Sequence, residues 1–209
     1  MKNLFDPDGT VMRVLTVLSD IILLNLCFLL CCIPLVTIGG AWSALYGVCL
    51  RHREGDGVVR PFFSGFRKSF RQATAVWLLL AAAGAVLALD FRLIAALEAV
   101  PAAVTVLLYL AALLLLGTGL YVFPMIALYK DTIPRMLKNA LILSVTALPR
   151  TLLLALVSAA PLIVLLLDVE LFGRMLMLWL LVGWAVTAKI NSHILKGVFQ
   201  RLVNTDEPR

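Results

Sequence analysis

The sequence predicts an all-α fold, a polytopic transmembrane helical bundle of about five spans joined by cytoplasmic amphipathic connectors, and three observations carry that expectation. Five long apolar stretches recur along the chain, each near the roughly 20 residues that a helix needs to cross a bilayer core. The composition, 62% hydrophobic and 14% charged residues with a mean hydropathy of +1.02, lies far outside that of soluble globular chains, so lipid must solvate much of the surface. The loops alternate between strongly basic and nearly neutral, the pattern of a chain threaded back and forth through a membrane. No stretch shows the period-two alternation of a membrane β-strand, and residues 1–209 read as a single integral-membrane domain.

The first expected span covers about 14–36 and is broken chiefly by Asp20 and Asn25. Its apolar region is about twice as long as a secretory signal core, and Asp6 and Asp8 precede it where such a signal carries cations, so it is expected to stay in the mature protein. The second span covers about 73–97, with Asp90 and Arg92 near its end. The third, 101–128, holds no charge. The fourth, 152–167, is short and carries Pro161, which kinks a membrane helix more readily than it ends one. The fifth covers 172–190, with Arg174 and Lys189 placed to snorkel from its two ends.

Orientation follows from the Lys and Arg beside each span. The first loop holds Arg51, Arg53, Arg60, Arg67, Lys68 and Arg71; the third holds Lys130, Arg135, Lys138 and Arg150; the tail holds Lys196, Arg201 and Arg209. The second and fourth loops offer only Arg92 and Arg174. The basic loops and the C-terminus are therefore expected in the cytoplasm of a bacterial cell, the chain crossing its inner membrane, with the N-terminus outside. Lys2 and Arg13 weaken the last assignment, and the apolar run 38–50 offers an alternative. If that run dips back as a re-entrant half-helix, there are six membrane segments and the N-terminus lies inside.

The connector from Arg60 to Gln72 is the most distinctive polar stretch. On a helix, Phe62, Phe63, Phe66 and Phe70 gather on one side while Arg67, Lys68 and Arg71 lie nearer the other. That pattern predicts an interfacial helix touching lipid or a partner, its rings at the acyl boundary and its cations on anionic headgroups. The net charge of +6 agrees. Nucleic acid is not an expected partner, because the basic cluster is short and tethered between two spans.

Charges within a membrane are costly, which makes Asp20 and Asn25 the intramembrane polar candidates and suggests a seam along the first span. Asp20, Asp90 and Asp168 are expected to rim an acidic outer mouth, or else to cap helices and pair with Arg92 or Arg174. His193, next but one to Asn191, reads as a polar end-cap. Cys27, Cys31, Cys32 and Cys49 have neither CxxC spacing nor a His cluster, so they read as packing residues and not as a metal site. No phosphate loop, HExxH or GxSxG motif is present, and no catalytic residue, metal or cofactor is expected.

A possible internal repeat also runs through the chain. Ala44-Leu45-Tyr46 recurs as Ala127-Leu128-Tyr129, Thr74 matches Thr151, and Leu89-Asp90 matches Leu167-Asp168, at offsets of 83, 77 and 78. Such a duplication relates helix pairs by an axis along the membrane normal, since both basic connectors face one side.

Leu24-Asn25-Leu26 leading through Leu35-Val36-Thr37-Ile38-Gly39 to Ala44-Leu45-Tyr46, then Phe63, Phe66 to Phe70 and Gln72-Ala73-Thr74, resembles the bacterial YesL family, a domain of unknown function. Leu137 to Ala140 and Leu148-Pro149-Arg150-Thr151 are similar too. The resemblance implies a small multi-span membrane protein often encoded beside carbohydrate ABC-transporter genes, and supplies no catalytic residues. The expected function is thus a non-enzymatic accessory or regulatory component associated with carbohydrate uptake, its partner such a transporter or a second copy of itself. A small transporter or permease component is the alternative, and a lipid-active enzyme ranks third.

Overall fold

A computed structural model of the chain describes residues 10–51, 57–97 and 100–205. Lys2, Asp6, Asp8, His52, Arg53, Arg209 and the side chain of Arg201 lie outside that description. Among the described residues the fold is all helix, without a strand, and five helical stretches are long and apolar enough to cross a membrane. These are Val11–Cys32, Val59–Ala95, Ala102–Leu128, Leu148–Leu167 and Val169–Phe199.

Helix α1, Thr10–Cys32, stops four residues short of the expected 36. Pro34 disfavours helical geometry at Ile33 and cannot donate a backbone hydrogen bond. A short 3-10 turn, Leu35–Thr37, follows, in which the Thr37 hydroxyl donates to the Cys31 and Pro34 carbonyls that the break sets free. The Trp77 indole N–H, 2.9 Å from the Leu35 carbonyl, ties this turn to the next hairpin. The run 38–50 then forms α2, Ile38–Arg51, whose small residues are almost all buried.

Helix α3, Val59–Ala95, is 37 residues long. The expected interfacial connector is therefore not a separate helix: Pro61 sits in the first turn, where its missing N–H costs nothing, and no later residue breaks the helix before the span ends. Helix α4, Ala102–Leu128, contains Pro124. Helices α5, Ile133–Thr146, and α6, Leu148–Leu167, are parted at Ala147 because Pro149 follows at once and cannot bond to the preceding turn. Pro161 lies within α6 without ending it. Last come α7, Val169–Leu178, a π-helical turn, Trp179–Gly183, and α8, Trp184–Thr205, which follow one another directly.

One end of the molecule gathers the basic residues. There Arg51 donates to the Leu128 carbonyl, Arg150 donates to the Gly197 carbonyl, and Tyr129 packs edge-on against Phe199. Along α1 the partners on α8 run in reverse order, from Phe28 against Trp184 to Asp20 beside Lys189 and Lys196. Helix α1 therefore starts at the basic end, together with the C-terminus, and α2 returns the chain to that end. This overturns the expected placement of the N-terminus opposite the basic loops, and the six-segment arrangement describes the chain better. The physical reason is α2: too short for a full span, it still carries enough small and apolar residues to bury itself between α3, α4 and α8.

Burial patterns repeat along the chain. In α2 the buried Gly39, Gly40, Ser43, Ala44, Leu45, Tyr46 and Val48 stand 78 positions before the buried Gly117, Thr118, Tyr121, Val122, Phe123, Pro124 and Ile126. Val58, Phe62, Ala73 and Val76 stand 78 before Met136, Ala140, Thr151 and Leu154. Gly39 faces Ala73, and Gly117 faces Thr151 at an ordinary distance, its own close contact being with Ser144. A repeat in this register keeps the Leu-Asp match at 78 and leaves out both Ala-Leu-Tyr at 83 and Thr74 with Thr151 at 77.

Candidate functional site

Asn25 is completely buried, and its amide is engaged both as donor and as acceptor. Its Nδ2 donates to the Leu180 carbonyl at 2.6 Å, and its Oδ1 accepts from the Ala185 N–H at 3.0 Å. These two backbone groups lie five residues apart across the π-helical turn, so the amide of α1 is inserted where their direct bond would run. An amide in apolar surroundings is costly unless both its functions are met, and here both are. Asn25 is a strut between helices.

Asp20 does not share that role. Five residues turn a helix through roughly 140° beyond a full turn, so the two side chains leave α1 in different directions and the expected seam does not form. Asp20 instead lines a cavity of about 250 Å³ with Cys49, Lys189, Ser192, His193 and Lys196. That places it at the basic end, not at an acidic outer mouth. The sign of its neighbours explains the location, since a carboxylate among lysines is far less costly than one facing lipid.

The remaining acidic candidates stay local. Asp168 caps α7: its Oδ1 accepts from the N–H groups of Glu170 at 2.8 Å and Leu171 at 3.0 Å. Arg174, an expected partner for it, pairs with Glu170 at 2.6 Å one turn away. Asp90 sits half-buried near the end of α3, beside the Phe91–Tyr109 ring pair.

The connector divides in a way its periodicity did not show. Phe62 is completely buried, Phe66 and Phe70 pack towards Gly40 of α2, and only Phe63 is exposed. Phe62 thus belongs to the protein's own core, with Phe66 packed against it, and Phe70 is half-buried beside α2. Arg67, Lys68 and Arg71 are exposed as expected, and Arg60, Arg135 and Lys138 join them. The cationic surface is mounted on a rigid helix, because Gly40 and Gly65 let α2 and α3 approach closely.

Two features were not legible beforehand. A cavity of about 550 Å³ is lined by Trp42, Trp77, Trp184, Phe91 and Phe123 and is apolar except at Tyr46 and Ser158. Asn191, from α8, donates from its Nδ2 to the Ser158 hydroxyl at 2.9 Å and to the Tyr46 hydroxyl at 3.3 Å, joining α2, α6 and α8. Asn at an expected span end signals only a cap; its partners lie 33 and 145 positions away. The arrangement suits an apolar chain with one polar group. The cysteines are free, and no His, Cys, Asp or Glu cluster of metal-binding size occurs among the described residues.

No curated protein and no solved structure matches the chain. Residues 21–91, from within α1 to near the end of α3, match the model of a family described as a protein of unknown function, DUF624.

Proposed function

We propose that this protein is a non-enzymatic accessory or regulatory subunit of a bacterial inner-membrane system for carbohydrate uptake, with its basic end in the cytoplasm. The observation that carries this reading is the exposed row Arg60, Arg67, Lys68 and Arg71 on a helix whose Phe62 is buried and whose Phe66 and Phe70 are half-buried towards α2. A surface of that kind presents charge at fixed spacing. It suits anionic headgroups and the acidic face of a partner, where complementary charge steers encounter and sets register. The link to carbohydrate uptake, and the finer resemblance to the YesL family, come from Leu24 to Thr74 and Leu137 to Thr151, on which the expectation was built.

The test is affinity purification from native membranes in mild detergent, comparing the wild type with the Arg67→Ala/Lys68→Ala/Arg71→Ala variant. Stoichiometric transporter subunits, lost from the variant while it remains inserted, are the expected result. Unchanged co-purification by the variant would count against the reading. Recovery of the protein alone or as a homo-oligomer puts the permease reading first, which the 550 Å³ cavity favours.

A further inference from the structure

The basic end holds another cavity, of about 410 Å³, in the angle between α2, α3 and the end of α4. Three cations reach it from three elements: Arg51 at the end of α2, Lys68 within α3, and Lys130 just past α4. No Asp or Glu is among the described residues that line it. The nearest carboxylate in sequence, Asp131, is engaged by the Thr132 N–H at 2.7 Å and by Arg135 at 3.7 Å. Arg51 is anchored by one N–H to the Leu128 carbonyl at 2.9 Å, which leaves other donors of its fork available.

A second, independent feature points the same way. Ser43 lines this cavity, is only 1% exposed, and its hydroxyl has no hydrogen-bond partner. Its neighbour in the lining, Ser69, satisfies its own hydroxyl on the Gly65 carbonyl at 2.9 Å. A buried hydroxyl left unmatched in the lining of a cavity that three cations also reach is an unfilled donor there.

We propose that this cavity binds a phosphate-bearing group, with Arg51, Lys68 and Lys130 as its charge partners and the Ser43 hydroxyl donating to a phosphate oxygen. Cations arriving from three directions suit a tetrahedral anion with oxygens on every side better than a planar carboxylate. The phosphate can belong to an anionic lipid or to a soluble phosphate ester, and the apolar Val48 and Ile126 in the lining are compatible with either. The site is confined to one copy of the repeat: Tyr121, Tyr129 and Thr146 stand 78 positions beyond Ser43, Arg51 and Lys68. Lys68 is common to this site and to the accessory reading's variant, and the two are told apart by Ser43→Ala, which touches the cavity alone.

The experiment uses the full chain purified in dodecyl maltoside. Native mass spectrometry follows retention of phosphatidylglycerol against phosphatidylcholine, and calorimetry follows glucose 6-phosphate as the soluble probe. Lys68→Gln/Lys130→Gln should weaken binding by about tenfold or more, whereas the charge-matched Arg92→Gln/Arg174→Gln, exposed residues that line neither the cavity nor the basic row of α3, should change it less than about twofold. Ser43→Ala, which alters no charge, should cost about fivefold and keeps the test decisive if the double variant does not fold. Selective retention of phosphatidylglycerol alone assigns a lipid, binding of glucose 6-phosphate alone assigns a soluble ester, and either supports the site. Equal losses in the two double variants, or binding of neither probe by the wild type, would overturn it.

Discussion

Gly39→Ala is the substitution by which the packing of α2 on α3 can be tested most sharply. A Cβ at Gly39 would stand 2.4 Å from the Ala73 carbonyl oxygen and 2.6 Å from Trp77 Cβ, and neither can swing aside. Reaching an ordinary 3.4 Å contact needs the two helices to part by about 1 Å. A gap of that size forfeits about a quarter to a half of the dispersion between the atoms it separates, and overpacking of this kind costs about 1–3 kcal/mol. Against it stands up to about 1 kcal/mol gained because alanine is the better helix former. With both blocking atoms on or next to the backbone, the cost falls at the upper end, for a net loss of about 2 kcal/mol. Gly47→Ala is the control: its Cβ would meet only Ala127 Cβ, at an ordinary 3.6 Å, so the helix preference acts alone. The two variants should therefore differ by about 3 kcal/mol. The assay is unfolding in mixed micelles by increasing dodecyl sulfate, followed by helical circular dichroism and by tryptophan emission, since Trp42, Trp77 and Trp184 surround the joint. If Gly39→Ala proves as stable as Gly47→Ala, the close approach of α2 to α3 is refuted. Gly117→Ala, facing Ser144 Cβ at 2.7 Å, should behave like Gly39→Ala and so checks the second copy too.

Phe62→Ala should destabilise the protein by about 3 kcal/mol through the cavity it leaves, while Phe63→Ala, one residue on but exposed, should cost well under 1 kcal/mol in the same titration. Equal effects would return both rings to the lipid. Asn25→Leu leaves the Leu180 carbonyl and Ala185 N–H without their side-chain partner, so a loss of about 1–3 kcal/mol is expected, together with faster hydrogen exchange at the Ala185 amide. Unchanged exchange at that amide would contradict the strut.

Much of the architecture was legible because membrane insertion writes itself in composition and loop charge. The spans of α4 and α6 fall close to where apolar length places them, α3 ends within two residues of the expected position though it begins fourteen earlier, and Pro34 and Pro149 part helices for reasons visible in the chain. What was hidden depends on distant partners. The direction of α1 turned on whether 38–50 was a loop or a helix, and its apolar run fits either until Ala73 and Phe66 come to face Gly39 and Gly40. The rings of Phe62, Phe66 and Phe70 have the spacing of a lipid-facing stripe, and helical periodicity cannot distinguish lipid from α2 as the apolar surface they meet. The π-helical turn has no local signal, because the amide that supports it sits 155 positions away. Ser43 reads as one more small residue in a close-packed helix, and only the cavity beside it gives its hydroxyl meaning.

The unbroken length of α3 has a mechanical consequence. At 1.5 Å per residue its 37 residues make a rod of roughly 55 Å, well beyond the hydrocarbon thickness, with the cations near one tip and the Phe91–Tyr109 contact near the other. The stretch 133–167, by contrast, is divided at Ala147 into α5 and α6, so its two halves do not form one rod. The bundle thus holds one unbroken arm, α3, and one arm divided in two, α5 and α6.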